Sequence, residues 1–286
     1  YRYPVIGWMQ DLDNMTIEDL SAWYQKWYAP NNATLVVAGD VNPDEVYALA
    51  KKYFGPLPKG EPITVKSLDE VDQKGIKRVT VKRPAELPYL MMAYKTPVVK
   101  PGSEKQENHD WEPYALEVLA GILDGGSSAR IASRLVRGSE IAAGASAGYR
   151  MVSRLDNLFI MSGTPSKGKT ANELETALRN EIKDLQSNPI TTEELQRVKA
   201  QVISSDVYEK DSVFYQGMIL GTLETVGLSW RLADIYVDSV KAVTAEQVMA
   251  VAKKYLIDDR LTVAELDPLP MDGQPRRPRG GNPHGR

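Results

Sequence analysis

Gly163 to Thr170, GTPSKGKT, is a full match to the phosphate-loop pattern G-x-x-x-x-G-K-[ST]. In such a loop backbone N–H groups cradle phosphates and the lysine pairs with their charge, so Gly168, Lys169 and Thr170 are candidate nucleotide contacts. The match lies between a predicted strand, LDNLFIMS, and a predicted helix, TANELETALRNEIKDLQ. A random chain of this length matches about once in a hundred. Against nucleotide binding, such loops come after the first strand of a parallel sheet and need a later apolar strand ending in a magnesium-binding Asp. The residues after Thr170 are largely helical, and the last apolar strand, LTVAEL, ends at Leu266 and Asp267 just before Pro268.

Other reactive groups are sparse. The chain has no cysteine, which rules out disulfides, thiolate chemistry and Cys-zinc sites and leaves the compartment undetermined. Its two histidines, His109 and His284, fall in a predicted polar loop and a Pro-, Gly- and Arg-rich tail, placements that assemble no His-based triad. Gly125-Gly126-Ser127-Ser128 resembles an anion nest, but a helix stop and then a Ser cap account for it. Trp23, Tyr24, Trp27 and Tyr28 could form a ligand platform; their helical spacing beside an apolar strand reads instead as core.

Composition bounds the rest. With 286 residues, 42% hydrophobic and 26% charged, the chain is globular and long enough for one large or two ordinary domains. A formal net charge of −3 offers no basic face for nucleic acid. No apolar run approaches the roughly 20 residues that cross a bilayer, and no signal-peptide pattern is present. The opening YRYPVIGW, without Met, reads as the interior of a longer or processed chain.

These groups must be positioned by elements that the hydrophobic pattern defines, and one unit occurs twice. MTIEDLSAWYQKWYAPNNATLVVAGDV, Met15 to Val41, has a Thr cap, acids in the first turn, an amphipathic helix, a polar turn and an apolar strand. VTAEQVMAVAKKYLIDDRLTVAEL, from Val243, repeats that order. Between the copies lie a predicted helix Pro43 to Phe54, a Pro-rich linker, strands Lys77 to Arg83 and Tyr89 to Thr96, and a helix Trp111 to Leu123. Next come a capped helix SARIASRLVRG, paired strands Ile141 to Arg150 and Leu155 to Gly163, and four helices from Thr170 to Val240.

The succession YRYPVIGW, WYAPNNATLVVAGD, LAGILDGGSSARIASRLV, ITTEELQRVKAQ and VTAEQVMAVAKKYL resembles the pitrilysin, insulin-degrading enzyme and mitochondrial processing peptidase family of zinc metallopeptidases. The likeness runs to about Pro268, and the repeat is similar to that family's internal duplication. It implies an α+β fold, mostly antiparallel sheets covered by helices. Residues 1–58 would end a first, catalytic-type domain, 59–73 would be a linker, 74–268 a second, non-catalytic domain, and 269–286 a disordered tail.

Family enzymes bind zinc through a His-x-x-Glu-His helix. Here His109 opens HDWEP, with Pro113 where the second His must stand, so no catalytic and no metal residue is expected in this chain, and zinc would belong to the intact parent enzyme. In paired family members the zinc-free domain offers an Arg and, seven residues on, a Tyr to substrate. Arg137 matches the Arg, but Gly144 stands at the Tyr position and Tyr149 is displaced by five. The function implied is the carboxyl-terminal, non-catalytic part of a zinc-dependent metalloendopeptidase subunit, a chamber wall and an interface to a partner half in a homo- or heterodimer acting on peptides. The alternatives are a non-catalytic scaffold subunit and, third, a P-loop nucleotide-binding protein. A bacterial periplasmic location is implied by resemblance alone.

Overall fold

A computed structural model describes residues 5–64, 71–105 and 110–271. In chain order they form α1 (Met9–Asp13), α2 (Ile17–Trp27), α3 (Pro43–Phe54), β1 (Lys77–Pro84), β2 (Tyr89–Thr96), α4 (Glu112–Asp124), β3 (Ala142–Gly148), β4 (Asn157–Pro165), α5 (Ala171–Ser187), α6 (Thr192–Glu209), α7 (Val213–Thr225), α8 (Leu232–Ala242), α9 (Ala245–Tyr255) and β5 (Leu261–Leu269). The chain divides into two compact units, Tyr1–Val71 with Lys210–Thr225, and Asp72–Glu209 with Val226–Arg286. The predicted tail lies outside the described residues from 272 onward, as do residues 65–70 of the predicted linker.

The repeat is reproduced in detail. At α2 the Thr16 hydroxyl accepts from Asp19 N at 3.2 Å while the Asp19 carboxylate accepts from Thr16 N at 3.0 Å. At α9, Thr244 and Gln247 make the same reciprocal pair at 3.2 and 2.9 Å. Each box satisfies two N–H groups that the first helical turn leaves unpaired. The helices end alike, at Tyr28 (φ −94°, ψ 61°) and Leu256 (φ −89°, ψ 60°), and each leads through a three-residue 3₁₀ turn, Pro30–Asn32 or Asp258–Arg260.

Burial separates the copies. Val248, Val251 and Ala252 of α9 are fully buried, whereas Leu20, Trp23, Tyr24 and Tyr28 of the first copy are 50–65% exposed. The core expected of that aromatic cluster is therefore corrected: Tyr24 stacks on Tyr28 with ring centres 4.6 Å apart, on the surface of its unit. The strand expected at LVVAG is extended but gains no ladder partner among the described residues. Identical local codes give different burial because α9 has a sheet and two helices to pack against.

That sheet has the order β1-β5-β2-β4-β3, with β1 and β5 parallel and the other three pairings antiparallel. This is the α+β, mostly antiparallel architecture implied by the sequence. Residues directly opposite in a ladder share a face, so the registers sort the strands into two sides. Leu90, Met92 and Tyr94 of β2, Phe159 and Met161 of β4, and Leu261 and Val263 of β5 point one way and are at most 2% exposed. Helices α4, α5 and α9 cover that side. The other side stays open: Val79 and Val81 of β1 are 49% and 41% exposed, and Tyr89 and Met91 of β2 are 39% and 38% exposed.

Candidate functional site

The GTPSKGKT segment folds as a strand end and a helix cap. Gly163 to Pro165 still belong to β4, an antiparallel strand, and the turn closes through Lys169 N donating to Ser166 O at 2.9 Å, with Gly168 at φ +82°. Thr170 and Glu173 form a capping box at the start of α5, with Glu173 accepting from Thr170 N at 2.8 Å and Thr170 accepting from Glu173 N at 3.1 Å. The Glu173 carboxylate thus occupies the position a phosphate would take, and the Thr170 backbone N–H, more than any other contact, holds it below the usual carboxylate range. Lys169 Nζ lies 3.6 Å from the same carboxylate. Gly168, Lys169 and Thr170 stand together, but the N–H groups of Lys169 and Thr170 and the Lys169 ammonium already have partners, and the phosphate-loop alternative is unsupported.

Gly163 has a separate reason to be glycine. A Cβ there would lie 2.7 Å from Gly144 O and 2.8 Å from Ala145 Cβ, so β4 and β3 approach each other only because both carry very small residues. The sequence of β3, AAGASAG, is built for that approach. Among the described residues it pairs with β4 alone, and its Ala147 N–H donates to the Asp124 carboxylate at 3.1 Å.

The helix expected at SARIASRLVRG is a π-helix, Ile131–Val136, whose wide turns show in Arg137 N donating to Ala132 O at 3.2 Å and Ser139 N to Arg134 O at 2.8 Å. The helix stop at Gly125 and Gly126 is as expected, with Gly126 at φ +98°, but no Ser side chain caps the π-helix. Side chains fix the π register instead. Arg130, 5% exposed, donates to Glu194 at 2.7 and 2.9 Å and to Asp184 at 2.9 Å, while Arg134 reaches Glu181 at 2.9 Å and Asp184 at 3.0 Å. Arg130 holds the Glu194 carboxyl below its usual range; burial pushes that of Glu181 above it. Arg130 and Arg134 sit four apart, the one trace of this network visible in the sequence.

Arg137 closes the π-helix and is exposed, its Nη2 donating to Ser127 O at 2.6 Å. Gly144, at the position where a substrate-binding Tyr would stand, lies on the edge strand opposite Thr164. Tyr149 is committed elsewhere, donating to Pro97 O at 2.5 Å and stacking on Phe159.

Glu117 is a group that sequence reasoning passed over. It sits in α4, accepts from Tyr236 of α8 at 3.0 Å through Oε1, and its buried Oε2 has no partner among the described residues. Burial pushes its carboxyl up to about 7 against the opposing pull of the Tyr236 hydrogen bond. The signal was one acid inside the apolar run YALEVLAGIL.

These features are those of an α+β protein whose larger unit packs helices on one face of a mostly antiparallel sheet. A model of the peptidase M16 inactive domain matches residues 14–202, and the chain belongs to that family. Zinc protease PqqE of Helicobacter pylori is 29% identical over 203 residues, which cover 70% of this chain and 43% of that protein. The chain thus spans less than half the length of that relative. A solved protease from Helicobacter pylori superposes with TM-score 0.82 at 22% identity over 92% of this chain and 62% of that one. The periplasmic protease PqqL from Escherichia coli gives TM-score 0.72 at 16% identity over 92% of this chain and 29% of that one. At these identities the superpositions establish the fold.

Zinc, implied by the relatives' names, can be tested against the donors present. The acidic group Glu181, Asp184 and Glu194 is already paired with Arg130 and Arg134, and no cluster of three or more His, Cys, Asp or Glu among the described residues could hold a metal ion. His109 and His284 lie outside the described residues. The described residues do not fit a zinc ion.

Proposed function

We propose that this chain is the non-catalytic part of a zinc-dependent metalloendopeptidase subunit, forming one wall of a peptide-enclosing chamber and the interface to a partner half. The observation that carries the reading is the open face of the five-stranded sheet, which leaves Val79, Val81, Tyr89 and Met91 exposed while the opposite face is packed. Apolar surface of that kind on a sheet marks a place where another chain is held. At the far end of the sheet, β3 has no second strand among the described residues, so an extended peptide can add there along the backbone groups that Asp124 does not hold. Arg137 is accessible to such a peptide through the guanidinium N–H groups that Ser127 does not hold.

In this reading residues 1–58 complete a first, catalytic-type domain, 59–73 link it, and 74–268 are the non-catalytic domain. The exposed aromatic face of α2 supports the first assignment, because its duplicate in α9 is buried by a domain of its own. Zinc is supplied by the catalytic part of the parent enzyme, the subunit pairs with a homologous one, and the compartment is the bacterial periplasm, by analogy with PqqL.

The test is reconstitution. The 286-residue chain with added zinc should leave an unfolded fluorogenic peptide intact, and co-expression with a zinc-bearing half should give cleavage that a chelator stops. Zinc-dependent cleavage by the chain alone, or a native assembly containing no zinc-bearing half, would remove this reading.

A further inference from the structure

The cations of β1 are sorted by face. Toward the helices, Arg78 is held by Glu175 at 2.8 Å and Lys82 by Asp267 at 3.3 Å. On the open face, Lys77 and Arg83 are exposed and have no acidic partner among the described residues. Between them stand Val79 and Val81, opposite Ala264 and Leu266 of β5. No Asp or Glu occupies an outward position on any of the five described strands. At about 3.3 Å per residue, Lys77 to Arg83 spans roughly 20 Å, an apolar floor between two positive charges that no acid among the described residues pairs.

An extended peptide has the same two-residue side-chain period, so along β1 it turns positions i, i+2, i+4 and i+6 toward the wall. We propose that this wall selects extended peptides whose wall-facing positions run acidic, apolar, apolar, acidic. The inference rests on the chamber-wall reading above. Carboxylates at the outer positions meet Lys77 and Arg83, and apolar side chains at the inner ones cover Val79 and Val81. Cations on an edge strand also discourage pairing with other sheets, but that role is indifferent to face. Here the helix-facing cations of β1 have acidic partners, and the wall-facing ones, with none among the described residues, can take a ligand's. Lysine at the outer positions is repelled.

The test uses the 286-residue chain and three labelled peptides that share the apolar pair and carry Asp, Asn or Lys at both outer positions, with binding read by fluorescence anisotropy at low and high salt. Two exposed pairs predict a preference for Asp over Asn of roughly three- to tenfold at low salt, fading as salt screens it. Lys77→Glu with Arg83→Glu should invert the order, and the milder Lys77→Gln with Arg83→Gln should abolish it, both at unchanged melting temperature. Equal binding of all three peptides would overturn the charge selection and leave the wall standing. Binding of none would overturn the wall itself.

Discussion

Arg78 of β1 and Glu175 of α5 form a two-point pair, Nη1 to Oε2 and Nη2 to Oε1, both at 2.8 Å. Glu175 is 5% exposed and also accepts from Arg179 of its own helix at 2.8 Å. One carboxylate thereby fastens the edge strand of the sheet to the helical layer. The hydrogen bond from Arg78, against the cost of burial, keeps that carboxyl below its usual range.

Glu175→Gln should therefore destabilise the chain by about 2 kcal/mol, the value of charge-assisted hydrogen bonds to a buried group, moderated because Arg78 is 56% exposed and can return to water. Because the folded pKa is depressed, this contribution is complete above the unfolded value of about 4.3 and is lost as pH falls through the lower folded value. Urea midpoints of parent and variant should converge on acidification below that value. A gap that persists at the lowest pH at which the parent folds would disprove the assignment.

Glu117 should behave in the opposite sense. Its carboxyl is raised to about 7 in the folded chain, so its stabilising contribution is complete below the unfolded value of about 4.3 and lost as pH rises through 7. The hydroxyls of Tyr114 and Tyr149, which this carboxyl faces electrostatically and which burial pushes up, stay neutral across that window. Glu117→Gln should leave stability nearly unchanged at pH 5 and raise it by on the order of 2–3 kcal/mol at pH 8. Equal effects at both pH values would show that the carboxyl does not ionise in place.

Thr170→Ala should cost about 1 kcal/mol by removing the capping box of α5. Magnesium-ATP should leave the melting temperature of the parent unchanged, since the Lys169 and Thr170 N–H groups are engaged and Glu173 lies against the loop. A nucleotide-dependent rise in melting temperature that Lys169→Ala removes would reinstate the phosphate-loop reading.

Gly163→Ala should destabilise by roughly 1–3 kcal/mol, because its Cβ would press on the backbone of Gly144 and Ala145. The damage should be local. Hydrogen exchange should accelerate at β3 while β2 and β5 stay protected, and uniform loss of protection would argue against this packing.

The sequence was a good guide wherever the code is local. Thr16 and Thr244, with a hydrogen-bonding residue three places on, determined where α2 and α9 begin, and Pro43 placed the start of α3. The apolar runs placed β2 at its observed bounds, Tyr89–Thr96, and β4 two residues early, at Leu155 to Gly163 against Asn157–Pro165. GTPSKGKT misled because phosphate loops and capped helices use the same small and polar residues; what separates them is the strand beneath, and β4 is antiparallel. The π-helix was not legible at all, since Arg130 and Arg134 set its register through acids more than 45 residues away.

By itself, then, the sequence determined most of the helices, the Thr caps of α2 and α9, most of the strands, the duplication and the family likeness, each written in residues close together along the chain. Only the tertiary structure decided which duplicate is buried, which face of the sheet is open, and which cations of β1 have partners. Those depend on what a side chain meets across space. Val251 and its counterpart Trp23 sit on equivalent helical turns, and only Val251 has a sheet beneath it.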